Sequence, residues 1–168
     1  MKTDRKKLVK FFCLLFFLLY LVLLLYLLIF FDQFDRTMEG RTYRYNLIPF
    51  LEIRRFLKYR EQIGLFQVLS NLAGNVIGFI PFGLLLPAFV RRFRSGGLVT
   101  FLSFDVSLAI ELIQLTFRVG IFDVDDIILN TLGGLVGYGI FKILYLCRLK
   151  YYGDKEKKQK IQTQHKKE

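Results

Sequence analysis

From Phe11 to Phe31 the chain runs 21 residues without a charge, a proline or a glycine. In hydrocarbon every backbone N–H and C=O must find its partner inside the segment, so a run of this length and composition folds as a membrane-spanning helix. It is too long for a signal-peptide core, and no A-x-A-like cleavage site follows it. Lys2, Arg5, Lys6, Lys7 and Lys10 give it a positive flank. The run is predicted to be a permanent first span that serves mainly as an anchor.

Three more apolar segments follow, at Phe66 to Val90, Leu98 to Phe117 and Asp126 to about Leu146. The expected fold is all-α, an integral membrane bundle of four transmembrane helices with an interfacial helix between the first and second. Composition agrees, since 54% of the 168 residues are hydrophobic, with 19 Phe and 3 Pro. The net charge of +11 comes from Lys and Arg at segment ends and in the C-terminal tail. Beside membrane spans that pattern means topology and contact with membrane lipids. No recognition helix or stacking sheet supports nucleic-acid binding. Cys13 and Cys147 lie at ends assigned to the cytoplasm, where a disulfide does not persist, and no Cys and His spacing suggests zinc. The single His, His165, stands in a polar tail, which argues against a catalytic histidine.

The connection from Asp32 to Leu65 contains RYNLIPF and then LEIRRFLKYREQIG. Phe50, Ile53 and Leu57 recur at helical spacing while Arg55 and Lys58 point away, with Arg54 and Arg60 at the margins; this suits a short helix in the interface. The basic side chains either receive phosphate or anionic headgroups or snorkel beside lipid. Pro49 disfavours helix at Ile48, so residues 46–49 are predicted to form an extended turn that brings Arg44 and Asn46 back over the membrane.

In the second span Asn71 and Asn75 stand one turn apart, and Gly74 with Gly78 forms a GxxxG pair. Both Asn are expected to face inward, bonding between helices or contacting a ligand. Pro81 removes a donor and predicts a kink. The densest polar stretch is IELIQLTFRVGIFDVDDIILNTLGGLVG, residues 110–137. At about 100° per residue, Glu111, Gln114 and Arg118 share one stripe, and Asp126, Asn130, Gly133 and Gly137 share another. Polar groups so placed are costly in lipid. Asp125 or Asp126 is the expected cap for the fourth helix. Asp105 lies off the Glu111 stripe.

Three regions are expected: residues 1–31, a cytoplasmic flank with the first span; 32–147, the membrane domain; and 148–168, a basic tail expected to be disordered beyond Gly153. Placing both termini in the cytoplasm puts sixteen Lys and Arg inside against eight outside. The acidic cluster then faces outward.

The segments RYNLIPF, NLAGNVIGFIPFGLLLP and IELIQLTFRVGIFDVDDIILNTLGGLVGY, in this order over about residues 44 to 138, resemble the VanZ-like family of bacterial membrane proteins. The resemblance implies a multi-span protein of the cytoplasmic membrane, in a family named for a protein associated with teicoplanin resistance in Gram-positive bacteria. It carries over to Arg44, Asn46, Pro49, Asn71, Asn75, Pro81, Gly83, Glu111, Gln114, Arg118, Asp125, Asp126, Asn130 and Gly133. It supplies no reaction mechanism.

Three functional classes follow. The first is recognition of a lipophilic glycopeptide or a lipid-linked envelope precursor, using Arg44, Asn46, Asn71, Asn75, Gln114, Arg118, Asp123, Asp125 and Asn130 as ligand-binding groups. The second is a membrane hydrolase or transferase, with Glu111 and Asp126 as catalytic groups and Asp123, Asp125 and Asp126 holding Mg²⁺ or Mn²⁺. The third is a homo-oligomeric assembly partner that pairs through Gly74 with Gly78 and Gly133 with Gly137. Glu111 and Arg118 equally suit a structural pair.

Overall fold

The computed structural model describes residues 2–30 and 43–165. The first part of the polar connection, 31–42, and the end of the tail, with Lys166 and Lys167, lie outside the described residues. In order the elements are α1 (Lys2–Phe30), β1 (Tyr45–Asn46), α2 (Leu51–Lys58), α3 (Arg60–Ile63), α4 (Leu65–Phe89), a 3-10 turn (Arg91–Phe93), α5 (Gly96–Phe117), β2 (Phe122–Asp123) and α6 (Val124–His165).

Among the described residues three segments are long and apolar enough to cross a membrane: Val68–Phe89, Gly96–Phe117 and Val124–Gly153. In α1 the described apolar stretch is shorter, Leu14–Tyr26. The expected four spans are therefore three by this measure, beside an apolar helix that packs on α4. Phe17 and Leu24 of α1 join Phe79, Phe82 and Ile110 in the buried apolar cluster. The Tyr20 hydroxyl donates to the Gly78 carbonyl.

The closest helix pair is α4 with α6, and small residues set its distance. A Cβ on Gly133 would lie 2.2 Å from the Val76 carbonyl oxygen, one on Gly137 2.1 Å from that of Ile80, and one on Gly83 1.9 Å from that of Gly134. Only glycine admits backbones this close. The expectation that Gly133 and Gly137 serve oligomerisation is thus corrected, because that face is consumed within the chain. Gly78 borders Leu24 of α1, and a Cβ on Gly74 would have nothing within 4 Å.

Two further expectations change. The tail forms part of α6 to His165 instead of ending its order near Gly153. Low apolar content suggested disorder, yet the helix continues through this stretch without a break. On α2 the half-buried side chains are Glu52, Ile53 and Phe56, whereas Phe50 and Leu57 are exposed. Phe50 lies outside the helix in a left-handed conformation (φ 64°), which breaks the spacing read from sequence.

Candidate functional site

Two residues of parallel ladder organise the polar end of the molecule. Tyr45 pairs with Phe122 and Asn46 with Asp123, and the Phe122 N–H donates to the Arg44 carbonyl at 3.1 Å. This brings RYNLIPF onto the connection between α5 and α6. The ladder lies at Tyr45–Asn46, at and just before the start of the turn expected over residues 46–49, and Pro49 restricts only Ile48 within it.

Asp123 sits where these segments meet. Its Oδ1 accepts the Asp125 N–H at 2.9 Å and the Asn46 Nδ2 at 3.1 Å. It is therefore the residue that caps α6, in place of the expected Asp125 or Asp126. Asn46 in turn accepts the Ile48 N–H at 3.1 Å, fixing the turn toward Pro49. From α5 the buried Glu111 accepts the Asp123 N–H at 2.8 Å. Burial, then the negative charges of Asp125 and Glu52, push the Asp123 carboxyl from its ordinary 3.8 up to about 6, against the lowering effect of its hydrogen bonds.

Asp125 reaches a different helix. Its carboxylate accepts the N–H groups of Phe50, of Glu52 at 2.9 Å and of Ile53 at 3.1 Å, the free donors at the start of α2. Phe50 has no polar side chain to cap them, so the carboxylate from α6 does so across the fold. Asp126 points a third way and accepts Asn75 Nδ2 from α4. The three neighbouring carboxylates thus pin three separate elements: β1, α2 and α4.

One turn further along α6, Asn130 donates to the Ser107 hydroxyl at 2.9 Å. Ser103, Ser107, Glu111 and Gln114 are all buried and line one side of α5. The i, i+4 spacing of the two Ser with Glu111 was the signal by which sequence reasoning could have included them. Asn130 Oδ1 and Thr131 Oγ1 are buried without a hydrogen-bond partner among the described residues.

The remaining candidates lie at the surface. Arg118 ends α5 in a left-handed conformation (φ 55°) and is exposed, its guanidinium 4.3 Å from the centre of the Tyr43 ring. Arg44 is exposed, and so is Asn71, one turn from the bridging Asn75; the inward placement expected of Asn71 is corrected. The residues therefore divide into a buried bonded network and an exposed rim of Arg44, Arg118, Tyr43, Tyr45, Leu47, Ile48 and Phe50.

Among the described residues no group of three or more His, Cys, Asp or Glu is arranged to hold a metal ion. The divergent Asp carboxylates explain this, and nothing in the geometry favours the hydrolase reading. Their oxygens satisfy backbone and amide donors, which is scaffold chemistry.

A family model described as VanZ/LLP1 matches residues 17–145. Protein VanZ of Enterococcus faecium is similar, 38% identical over 98 residues that cover 57% of this chain and 51% of that protein. The chain thus spans about half the length of the curated relative it matches. No solved structure matches it.

Proposed function

The chain belongs to the VanZ/LLP1 family, and from that premise we propose that it recognises a lipophilic glycopeptide or a lipid-linked envelope precursor at the outer leaflet, and so contributes to teicoplanin resistance. In this reading α1 also crosses the membrane, as the first of four spans, both termini are cytoplasmic, and residues 32–147 form the working membrane domain between the anchor and a basic tail. The observation that carries it is the exposed rim. Arg44 and Arg118 offer charge to phosphate or carboxylate beside the exposed apolar side chains Leu47, Ile48 and Phe50. An acyl-bearing ligand such as teicoplanin presents both kinds of surface. The buried bonds anchor β1 and the α5–α6 connection next to this rim, and such pre-organisation lowers the cost of binding.

The test is drug susceptibility in a sensitive Gram-positive host expressing wild type, Arg118→Gln or Glu111→Gln at equal membrane levels. Wild type is expected to protect against teicoplanin and not against vancomycin. Arg118→Gln loses that protection, while Glu111→Gln, which keeps an acceptor for the Asp123 N–H, retains most of it. Absence of selective protection by wild type overturns the reading.

A further inference from the structure

The helical stretch from Leu51 to Ile63 has one face on the bundle and another that is exposed among the described residues. On α2 the half-buried Glu52, Ile53 and Phe56 face inward. At about 100° per residue, Arg54, Lys58, Leu51 and Arg55 fall on the opposite arc, with Leu57 at its edge, and all five are exposed. Arg60 follows at the start of α3, also exposed. Arg55 is already paired with Glu52 at 2.9 Å. Arg54, Lys58 and Arg60 have no ion pair among the described residues.

A helix this short is marginal alone, and α2 has no buried residue. What fixes it is the Asp125 carboxylate, which holds its N-terminus at the end of the bundle where α4 and α6 begin. Both helices are long and apolar enough to span a membrane. The exposed arc therefore stands at the level where spans enter the bilayer. It offers unpaired positive charge together with Leu51 and Leu57, and the preceding Leu47, Ile48 and Phe50 are exposed as well. One surrounding accommodates both at once: the interface, with acyl chains below and anionic headgroups beside.

We infer that α2 and α3 form an in-plane docking surface for the headgroups of anionic phospholipids, with Arg54, Lys58 and Arg60 as the contacting charges. The inference concerns the bilayer's own lipids and does not need a glycopeptide ligand, so it stands or fails separately from the reading above.

The chain contains no Trp, so Leu57→Trp places a single tryptophan, excited selectively over the nine Tyr, at the edge of this arc. The full chain is reconstituted in vesicles of phosphatidylcholine with a minor share of phosphatidylglycerol, with bromine on the acyl chains of one lipid or the other at equal mole fraction. Bromine on phosphatidylglycerol is expected to quench about three times more strongly than bromine on phosphatidylcholine at low salt, a preference that fades as salt is raised. Arg54→Gln, Lys58→Gln and Arg60→Gln together bring the ratio to about one while quenching by phosphatidylcholine persists. These positions are exposed, and Leu51→Trp on the same arc serves if Leu57→Trp disturbs the fold. Equal quenching by both lipids at low salt, or a preference that survives charge removal, overturns the inference. So does the absence of quenching by either, which would place α2 clear of the bilayer and turn attention to a soluble partner.

Discussion

Asp125, in the first turn of α6, accepts the backbone N–H of Glu52 at 2.9 Å across 73 residues of sequence. A cap normally comes from the residue just before its helix. Here the cap and the helix belong to different parts of the chain, so the start of α2 draws its capping acceptor from α6. Asp125→Ala is expected to destabilise the protein by about 1–2 kcal/mol. Thermal unfolding in detergent measures the loss, and faster trypsin cleavage at Arg54 and Arg55 locates it on α2. Asp125→Asn, which keeps one acceptor oxygen, should lie between Ala and wild type.

The raised Asp123 carboxyl gives a pH signature. The folded protein holds this proton more tightly than the unfolded chain does. The group's contribution is therefore most favourable below its ordinary 3.8, weakens as pH rises from 3.8 toward about 6, and is constant above that. Asp123→Asn retains the acceptor that caps α6 and bonds Asn46. The midpoint of thermal unfolding should thus lose this decline in the variant while staying equal or higher at neutral pH. A wild-type midpoint that rises steadily through the same window would contradict the assignment.

The apolar runs announced the long helices, because chain length and hydrocarbon thickness leave few alternatives. The polar residues were also legible as a group: Asn46, Asn75, Glu111 and the three Asp do meet. Their individual partners were not. The ladder pairing of Asn46 with Asp123, and the capping of α2 by Asp125, join segments more than seventy residues apart and leave no periodicity to read. Glycine stripes mislead for a related reason. Gly133 and Gly137 look the same in sequence whether a second molecule or α4 approaches them.

That ambiguity can be tested by substitution. Gly83→Ala would drive a methyl group into the Gly134 carbonyl, and is expected to cost about 1–3 kcal/mol or more. Gly74→Ala, with open space around its added Cβ, should change stability by no more than about 1 kcal/mol and in the favourable direction, through helix propensity. Melting both variants in the same detergent gives the comparison. Similar losses for the two would contradict the packing described for α4 and α6.

The bond from Asn130 to Ser107 makes a further prediction. Ser107→Ala leaves the Asn130 amide without its acceptor and should cost about 1–2 kcal/mol. Asn130→Leu, which also removes an unpartnered buried oxygen, should cost less than Ser107→Ala. A double-mutant cycle of the two isolates the pair. A coupling energy near zero would show that the bond adds nothing to stability.

The continuity of α6 has a mechanical meaning. Its 42 residues extend for about 63 Å, at 1.5 Å for each. It is fastened at several places: Asp125 and Asp126 bond α2 and α4 at its start, Gly133 and Gly137 lie against the α4 backbone, and beyond them the Tyr138 hydroxyl donates to the Arg94 carbonyl at 2.9 Å while the Arg94 guanidinium lies 4.8 Å from the Tyr145 ring centre. From Asp125 to Tyr145 the helix is thus a riveted beam, and one unbroken rod joins the polar network to the lysine-bearing end.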